Sequence, residues 1–376
     1  MFYKNARFFG PDLRFHVGAF EVKDGAFGLV DPGFVPQYGV DLQGATVIPG
    51  LIDIHHHGNS GADFTDGDEE GLKTMARYLA RKGVTSFTPT SVTAPDAALE
   101  KAFATARRLC EEAPQGHARV LGIHMEGPYF SRKRKGAQNG DALREPDLEG
   151  FRRLYDGCGG LIRIVDVAPE LPGAEDFIKE ASKLCTVSVA HTDGTYADAR
   201  MAFRKGATQV THLFNAMPAI HHRSPGVIPA AAEDPKIRAE LICDGHHVHP
   251  AMVRLAFSLF GGERMILVSD ALRCCGMPDG EYALGGQPVF LQGGVARLAD
   301  GTLAGSAADL FTCMKNAILF GIPEEDAVRA CTYNPACALG LQNFVGSIAT
   351  GCRADFVVCR SDYSAPRVFL DGREVS

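Results

Sequence analysis

The stretch VIPGLIDIHHHGNSGADFTDG, from Val47 to Gly67, places three consecutive histidines directly after an apolar run. Alternate residues of a strand share a face, so His55 and His57 point to one side and His56 to the other. Two imidazoles on one face can reach the same divalent ion at about 2.0–2.1 Å. A histidine-rich surface loop could have the same sequence. The rest of the chain therefore decides between a metal site at a strand end and a surface loop.

The middle of the chain alternates short apolar runs with amphipathic segments of helical length. The eight runs are TVIPGLIDI, VTSFTPT, ARVLGIHME, LIRIVDVAPE, TVSVAHT, ATQVTHLF, AELICDGHHV and MILVSDA. Helices are predicted at 69–83, 96–113, 174–185, 196–206 and 250–262, with Gly83, Gly206 and Gly261 at positions typical of C-terminal caps. Repeated strand–helix units imply parallel strands, and eight of them predict a (β/α)8 barrel of the TIM type. A doubly wound parallel sheet is the alternative.

Both ends of the chain have a different pattern. Residues 1–46 alternate short apolar runs with glycines, and ADFVVC and RVFLDG near the carboxyl terminus also indicate strands, with Asp371-Gly372 as a hairpin signal. We therefore expect residues 1–49 and 343–376 to form one small β-sandwich domain. Residues 50–342 would form the catalytic barrel.

The composition narrows the classes of function. A net charge of −7 over 376 residues argues against general nucleic-acid binding, which favours a basic surface. Eleven scattered cysteines without a CxxC pair indicate reduced thiols and a cytoplasmic location. The first residues carry charges, and no run of about 18 apolar residues follows, so we expect no membrane segment.

Histidines and carboxylates end several of the apolar runs. HMEGP places Glu126 after one run, AHTDG places His191, THLFN places His212 and SDA places Asp270. Each residue alone could be a core histidine or a helix cap. A barrel directs the side chains at the carboxyl ends of its strands toward one mouth. Their joint occurrence therefore predicts a metal-dependent site.

With these residues the sequence resembles the amidohydrolase superfamily. HMEGPYFSRKRKGAQN, THLFNAMPAIHHRSPG, ELICDGHHVHP, LVSDA and TLAGSAADL are together similar to the N-acetylglucosamine-6-phosphate deacetylases of that superfamily. The resemblance covers nearly the whole predicted barrel, and the terminal segments fit that family's small β domain. It implies metal-dependent hydrolysis of the acetamide of N-acetyl-D-glucosamine 6-phosphate, to D-glucosamine 6-phosphate and acetate, in amino-sugar catabolism.

The resemblance also implies a ligand set. Glu126, His191 and His212 would bind one ion. His55 and His57, a pair that some relatives lack, would bind a second ion, with Glu126 bridging and Asp270 close to it. Nitrogen and carboxylate donors suit zinc, iron, cobalt or manganese without choosing among them, and one or two ions per chain are expected.

Asp270 is the expected catalytic residue. A divalent ion lowers the pKa of bound water toward 7 and can polarise the amide carbonyl. As general base, Asp270 would take a proton from that water as it attacks the acetyl carbon. As general acid, it would return the proton to the departing amine.

The resemblance assigns further residues to substrate binding. Arg223 matches a phosphate-facing arginine that could act across the interface of a homodimer, and His247 matches a histidine near the sugar. Gln138 stands where some relatives have a histidine. The complete predicted set is Ala137, Gln138, Asn215, Ala216, Arg223, His247, Leu303, Ala304 and Gly305.

Three other functions compete with this one. A related amidohydrolase could deacetylate another N-acetylhexosamine phosphate, such as the galactosamine compound. A cyclic-amide hydrolase or deaminase would favour a bridging lysine at a strand end, where this chain has Glu126. A catalytically inactive interaction protein should have lost ligands, and none is missing. The basic run from Arg132 to Lys135 is interpreted first as a solvated loop and second as a phosphate-steering patch.

Overall fold

The computed structural model describes residues 1–375. It contains two large sheets and two small ones. In chain order the strands are β1 (Phe2–Phe9), β2 (Phe15–Lys23), β3 (Ala26–Asp31), β4 (Val40–Asp41), β5 (Thr46–Pro49), β6 (Leu51–His56), β7 (Gly58–Asn59), β8 (Ala62–Asp63), β9 (Val84–Ser91), β10 (Arg119–Val120), β11 (Ile123–Met125), β12 (Ile162–Val167), β13 (Thr186–Val189), β14 (Gln209–Val210), β15 (Arg238–Ile242), β16 (Met265–Val268), β17 (Gly280–Leu284), β18 (Gln287–Gln292), β19 (Val295–Leu298), β20 (Phe356–Cys359), β21 (Arg367–Leu370) and β22 (Arg373–Glu374).

The helices lie between the strands of the larger sheet and after it. They are α1 (Glu69–Arg81), α2 (Asp96–Glu112), α3 (Leu148–Gly157), α4 (Ala174–Ala181), α5 (Tyr196–Lys205), α6 (Val227–Ala232), α7 (Pro250–Phe260), α8 (Leu310–Leu319), α9 (Glu324–Cys331) and α10 (Tyr333–Ala338), with short 3-10 helices at Phe64–Asp66, Arg132–Arg134 and Gly140–Ala142.

The predicted barrel is confirmed. β6, β9, β11, β12, β13, β14, β15 and β16 pair in this order with parallel register, and a helix follows each of them. The ring closes beyond the end of β16, where the backbone N–H of Asp270 donates to the carbonyl of His55 at 2.9 Å and Ala271 bridges to His56 in parallel register. The doubly wound alternative is wrong because such a sheet leaves two open edges.

Local chemistry explains where the helices begin and end. Asp68 caps α1 by accepting from Gly71 N, and Thr195 forms a capping box with Asp198 at the start of α5. Pro250 occupies the first turn of α7, where its missing N–H costs no hydrogen bond. Gly83 follows α1 with φ +84°, a backbone conformation that favours glycine.

The terminal segments share one mixed sheet in the order β22-β21-β20-β5-β1-β2-β3, with β4 against β1. Phe20 on β2 and Phe356 on β20 lie three strands apart in this sheet, about 14 Å if it were flat. Their ring centroids are only 5.3 Å apart. The sheet therefore curls so that its halves face each other over a phenylalanine-rich core, as the expected sandwich requires. Asp371 and Gly372, both with positive φ, form the predicted hairpin turn between β21 and β22.

Two local features differ from the sequence interpretation. The run TVIPGLIDI is divided at Gly50: Thr46–Pro49 pairs with β20 and β1 in the terminal sheet, whereas Leu51–His56 pairs with β9 in the barrel. The antiparallel sheet β17-β18-β19 is inserted between β16 and α8, where the sequence interpretation placed no separate sheet. Within residues 1–375, no helix combines the length and the apolar character needed to cross a bilayer.

Candidate metal centre

The six residues predicted as ligands meet at the carboxyl ends of five barrel strands. Three of them have a left-handed backbone: φ is +44° at His191, +29° at His212 and +48° at Asp270. Non-glycine residues rarely adopt this conformation, and it concentrates at functional sites, where surrounding contacts maintain it. Here it accompanies the change of direction at the end of each strand. The six residues are all buried: His55, His57, Glu126, His191, His212 and Asp270.

One carboxylate lies between two imidazoles. Oε1 of Glu126 is 3.1 Å from Nε2 of His191 and 3.2 Å from Nε2 of His212, and the two Nε2 atoms are 3.1 Å apart. All three donor atoms lie within 4.8 Å of one another. Residues that are 65 and 86 positions apart along the chain therefore present one oxygen and two nitrogens to a common point.

A second group shares Glu126 with the first. Nε2 of His55 and Nε2 of His57 are 3.2 Å apart, and Oε2 of Glu126 is 3.4 Å from His57 Nε2. Oδ1 of Asp270 lies 3.2 Å from His57 Nε2 and 3.5 Å from His55 Nε2. Oε1 of Glu126 thus lies near His191 and His212 and also 3.7 Å from His55 Nε2, whereas Oε2 lies near His57, so the carboxylate stands between the two pairs of histidines as a bridging ligand would.

The outer nitrogens of three of these rings all face hydrogen-bond acceptors. Nδ1 of His57 lies 3.0 Å from the carbonyl of Thr90, and Nδ1 of His191 lies 2.9 Å from the carbonyl of Arg134. Nδ1 of His55 lies 2.9 Å from a carboxylate oxygen of Glu240. An acceptor at Nδ1 keeps a proton there, so Nε2 is the nitrogen left to bind a metal ion. Nε2 atoms only 3.1–3.2 Å apart would repel each other through their lone pairs unless a proton or a cation lies between them, so the residues fit a metal ion.

Electrostatics keeps the two carboxylates of the centre charged. Burial opposes ionisation of Glu126, but hydrogen bonds from His191 and His212 hold its pKa well below the usual range. Burial likewise opposes ionisation of Asp270, yet nearby His55 and the hydrogen bond to His57 lower its pKa to about 2. Both groups are therefore available as anionic ligands or proton acceptors near neutral pH.

A cavity of about 270 Å³ opens above this centre. Eight of the nine residues predicted to bind substrate line it, together with five of the six predicted ligands; His55 lies beneath the lining. The substrate-set residues along its wall are Ala137, Gln138, Asn215, Ala216, His247, Leu303, Ala304 and Gly305. A groove of about 1000 Å³ lies elsewhere, against the terminal sheet. It contains none of the three potential metal-binding groups found within residues 1–375, so the smaller cavity is the candidate site.

Two lining side chains are held firmly by their neighbours. The side-chain oxygen of Gln138 accepts from Thr93 N at 2.7 Å, which turns its amide nitrogen toward Oε2 of Glu126. His247 lies between two acceptors, Oδ2 of Asp244 and the carbonyl of Ala304, each at 2.7 Å. Burial disfavours the charged ring, but the bond to Asp244 raises the pKa of His247. A histidine with both ring nitrogens hydrogen-bonded therefore borders the cavity.

Arg223 is placed differently from the other predicted substrate residues. It is exposed, lies outside the lining of the cavity, and its Nη1 contacts Nε2 of the adjacent His222 at 2.8 Å. The basic run from Arg132 to Lys135 is also more ordered than a solvated loop. Lys133 and Arg134 both pair with Asp193, two residues after His191, and the carbonyl of Arg134 contacts the His191 ring.

The groups that support the ligands from behind have almost no signal in the sequence. Glu240 lies in the middle of β15, and its only signal was a charged residue inside the apolar run AELI. His124, two residues before Glu126, has Nδ1 at 2.9 Å from the carbonyl of Ile54 and Nε2 at 3.0 Å from Oδ1 of Asp166. Burial opposes its charged form, but Asp166 raises the pKa of His124 to about 10. With a proton on each nitrogen, His124 has no lone pair for a metal ion.

Comparisons with known proteins show the family of this chain. Residues 46–375 match the model of the amidohydrolase family. N-acetylglucosamine-6-phosphate deacetylase from Vibrio furnissii is 39% identical over 344 residues, which cover 91% of this chain and 84% of that protein. N-acetylgalactosamine-6-phosphate deacetylase from Escherichia coli O157:H7 is 34% identical over 357 residues, covering 94% of each.

A solved structure is similar over the whole chain. It is a mutant N-acetyl-D-glucosamine-6-phosphate deacetylase from Mycobacterium smegmatis in complex with N-acetyl-D-glucosamine-6-phosphate. It superposes with a TM-score of 0.93 at 34% identity and covers 100% of this chain and 99% of that one. On the strength of the family match, the relatives and the common fold, this chain belongs to the amidohydrolase family, among its N-acetylglucosamine-6-phosphate deacetylases.

Proposed function

We propose that this protein hydrolyses the acetamide bond of N-acetyl-D-glucosamine 6-phosphate, giving D-glucosamine 6-phosphate and acetate. The observation that carries the proposal is the arrangement of Glu126, four histidines and Asp270 at the base of a cavity of about 270 Å³. Relatives that carry this activity in their names support it over most of the chain. N-acetylglucosamine 6-phosphate is favoured over N-acetylgalactosamine 6-phosphate as the substrate. Most of these relatives, and the similar solved structures, are named as deacetylases of the glucosamine compound.

Two divalent ions fit the donor set best. Glu126, His191 and His212 would hold the first, and His55 and His57 would hold the second with Glu126 between them and Asp270 close by. Zinc, iron, cobalt and manganese all accept nitrogen and carboxylate donors. Bound there, such an ion would activate water and polarise the carbonyl of the acetyl group.

Asp270 would move the proton during the reaction. Its lowered pKa keeps the carboxylate deprotonated, so it can accept a proton from the attacking water. Oxygen then bonds to the acetyl carbon, and the same carboxyl group returns the proton to the sugar nitrogen as the C–N bond breaks. The second proton of the water also ends on the amine, so acetate and an ammonium group leave and Asp270 regains its deprotonated state.

The remaining cavity residues would bind the sugar. The amides of Gln138 and Asn215 offer neutral hydrogen-bonding groups, the ring of His247 would lie beside the sugar, and Leu303 to Gly305 form an apolar wall. Among residues 1–375, the cavity lining contains no lysine or arginine. A phosphate at the cavity mouth therefore needs a cation from elsewhere, and we assign this role to Arg223 of a second copy in a homodimer, whose guanidinium can hold phosphate with two hydrogen bonds.

Two further assignments belong to this proposal. We divide the chain into a small β domain, residues 1–49 plus 343–376, and a catalytic barrel, residues 50–342. We also place the protein in the cytoplasm, where its phosphorylated substrate and its reduced cysteines would be found.

Acetate release measures the activity directly. The protein is loaded with zinc, iron, cobalt or manganese and offered N-acetylglucosamine 6-phosphate, its unphosphorylated form and N-acetylgalactosamine 6-phosphate. We expect the highest kcat/KM for the first compound and no release after treatment with a chelator. No acetate from any of the three, with metal bound, would contradict the proposal.

A further inference from the structure

Glu240 is a buried carboxylate that the proposed reaction does not use. It lies on β15, between β14, which leads to His212, and β16, which leads to Asp270. Its side chain is fully buried, and among residues 1–375 no lysine or arginine pairs with it. An isolated buried carboxylate is costly, so the contacts that it makes indicate what it stabilises.

Those contacts lead to both halves of the metal centre. Oε2 of Glu240 lies 2.9 Å from Nδ1 of His55, and Oε1 accepts from the side chain of Gln209 at 2.7 Å. The backbone carbonyl of Glu240 accepts from Leu213 N at 2.8 Å, directly after His212. One residue therefore holds the ring of a second-site ligand and the backbone beside a first-site ligand.

His55 differs from the other ligands in its outer partner. Nδ1 of His57 faces the carbonyl of Thr90, and Nδ1 of His191 faces the carbonyl of Arg134, which are neutral acceptors. Only His55 among these three faces a carboxylate. A carboxylate behind a ligating histidine fixes the ring tautomer and increases the basicity of the inward nitrogen, and losing such a partner typically weakens metal binding about 10- to 100-fold.

We propose that Glu240 is a positioning residue that holds His55 with Nε2 directed at the second ion and couples that site to the strand end carrying His212. This inference rests on the proposed function, in which His55 and His57 hold that ion. Glu240 touches neither substrate nor the reacting atoms. It acts through the ring of His55.

Metal binding provides the first test. Equilibrium dialysis against zinc, with metal analysis of the protein, is carried out on the wild type, Glu240→Gln and Glu240→Ala. We expect two ions in the wild type, and in both variants one retained ion and a second bound about 10- to 100-fold more weakly. Wild-type affinity at both sites in the two variants would overturn the proposal.

Asp53→Asn is the matched control. Asp53 is equally buried and lies on the same strand as His55. It contacts the ring of His56 at 3.3 Å and accepts from the backbone N–H groups of His55 and Ser269, so it differs from Glu240 in having no hydrogen bond to the ring of His55. We expect this variant to keep both ions. Loss of the second ion in Asp53→Asn as well would show that any buried carboxylate near the strand has this effect, and would overturn a specific role for Glu240.

A second measurement separates failure of the inference from failure of the proposed function. In zinc-loaded protein with ¹⁵N-labelled histidine, the Nδ1–H of His55 should give a slowly exchanging signal, assigned with His55→Gln, that disappears in Glu240→Ala. A wild type that binds one ion only would contradict the two-ion part of the proposed function. The NMR signal would still decide the role of Glu240, because persistence of the signal in Glu240→Ala would overturn it.

Discussion

Gly305 and Asp270 lie so close together that no side chain fits between them. A Cβ atom on Gly305 would stand 2.6 Å from the carbonyl oxygen of Asp270 and 2.9 Å from Oδ1 of its carboxylate. The carbonyl of Asp270 also accepts from Ser306 N at 2.7 Å, so the two segments cannot separate without breaking a hydrogen bond. The wall of the cavity is therefore built directly against the expected catalytic carboxylate.

Gly305→Ala should displace the carboxylate of Asp270. Real Cβ atoms essentially never approach other atoms to 2.6 Å, so either the loop or Asp270 must shift. A displacement approaching 1 Å at a catalytic group can cost about 100-fold in rate. We expect kcat to fall by about this factor while the folded structure persists, as measured by acetate release and circular dichroism. Gly157→Ala, at a position with open space around it, is the control and should retain full activity.

Asp270→Asn should separate proton transfer from binding. An amide keeps the shape of the carboxylate but cannot accept the proton, and general acid–base groups typically contribute about 10²- to 10⁴-fold in rate. We expect kcat to fall within that range with little change in KM. Asp300→Asn, outside the cavity lining, serves as the control. Near-normal turnover in Asp270→Asn would show that another group moves the proton.

The metal-free protein should lose stability as the pH rises. Burial disfavours charged imidazoles, but hydrogen bonds to Asp270 and Glu126 raise the pKa values of His57 and His212, respectively, from 6.5 to about 9. A raised pKa contributes stability that is fully present below pH 6.5 and is lost as the pH passes 9. Chelator-treated protein should therefore have a lower Tm at pH 9.5 than at pH 6.5.

Bound metal should offset the loss of stability that the metal-free protein shows as the pH rises. An ion that replaces the protons on these nitrogens binds more tightly as the pH rises, because fewer protons must be released. The gap in Tm between metal-loaded and chelated protein should widen between pH 6.5 and 9.5. His57→Gln should weaken the pH dependence of the chelated form. A Tm of the chelated wild type that increases over this range would refute the protonated state inferred for the pair.

Arg223→Ala tests the source of the phosphate-binding cation. If Arg223 of a second copy binds the phosphate, the variant should raise KM for the 6-phosphorylated substrate by about tenfold or more, since hydrogen bonds to charged groups contribute about 1.5–3 kcal/mol. KM for unphosphorylated N-acetylglucosamine should remain constant. Equal losses on both substrates would assign Arg223 a structural role, and a monomer in solution would exclude action across an interface.

Much of the molecule could be read from local patterns. The eight apolar runs predicted the barrel, and polar residues at the ends of those runs predicted the ligands, because the topology of a barrel brings strand ends to one mouth. The single run TVIPGLIDI was harder. The apolar run is continuous, but Gly50 separates a strand of the terminal sheet from the first barrel strand. The division follows from pairing partners elsewhere: β20, more than 300 residues away, for the first strand, and β9 for the second.

By itself, then, the order of residues determined which side chains end each strand and on which face of the strand they lie, since both follow from the two-residue period of a strand. Only the tertiary structure decided what stands behind them. Glu240 behind His55, Asp166 behind His124 and Gly305 against Asp270 are contacts between residues 35 to 185 positions apart. Hydrogen-bond partners and steric limits depend on distance in space, which no local pattern of hydrophobicity encodes.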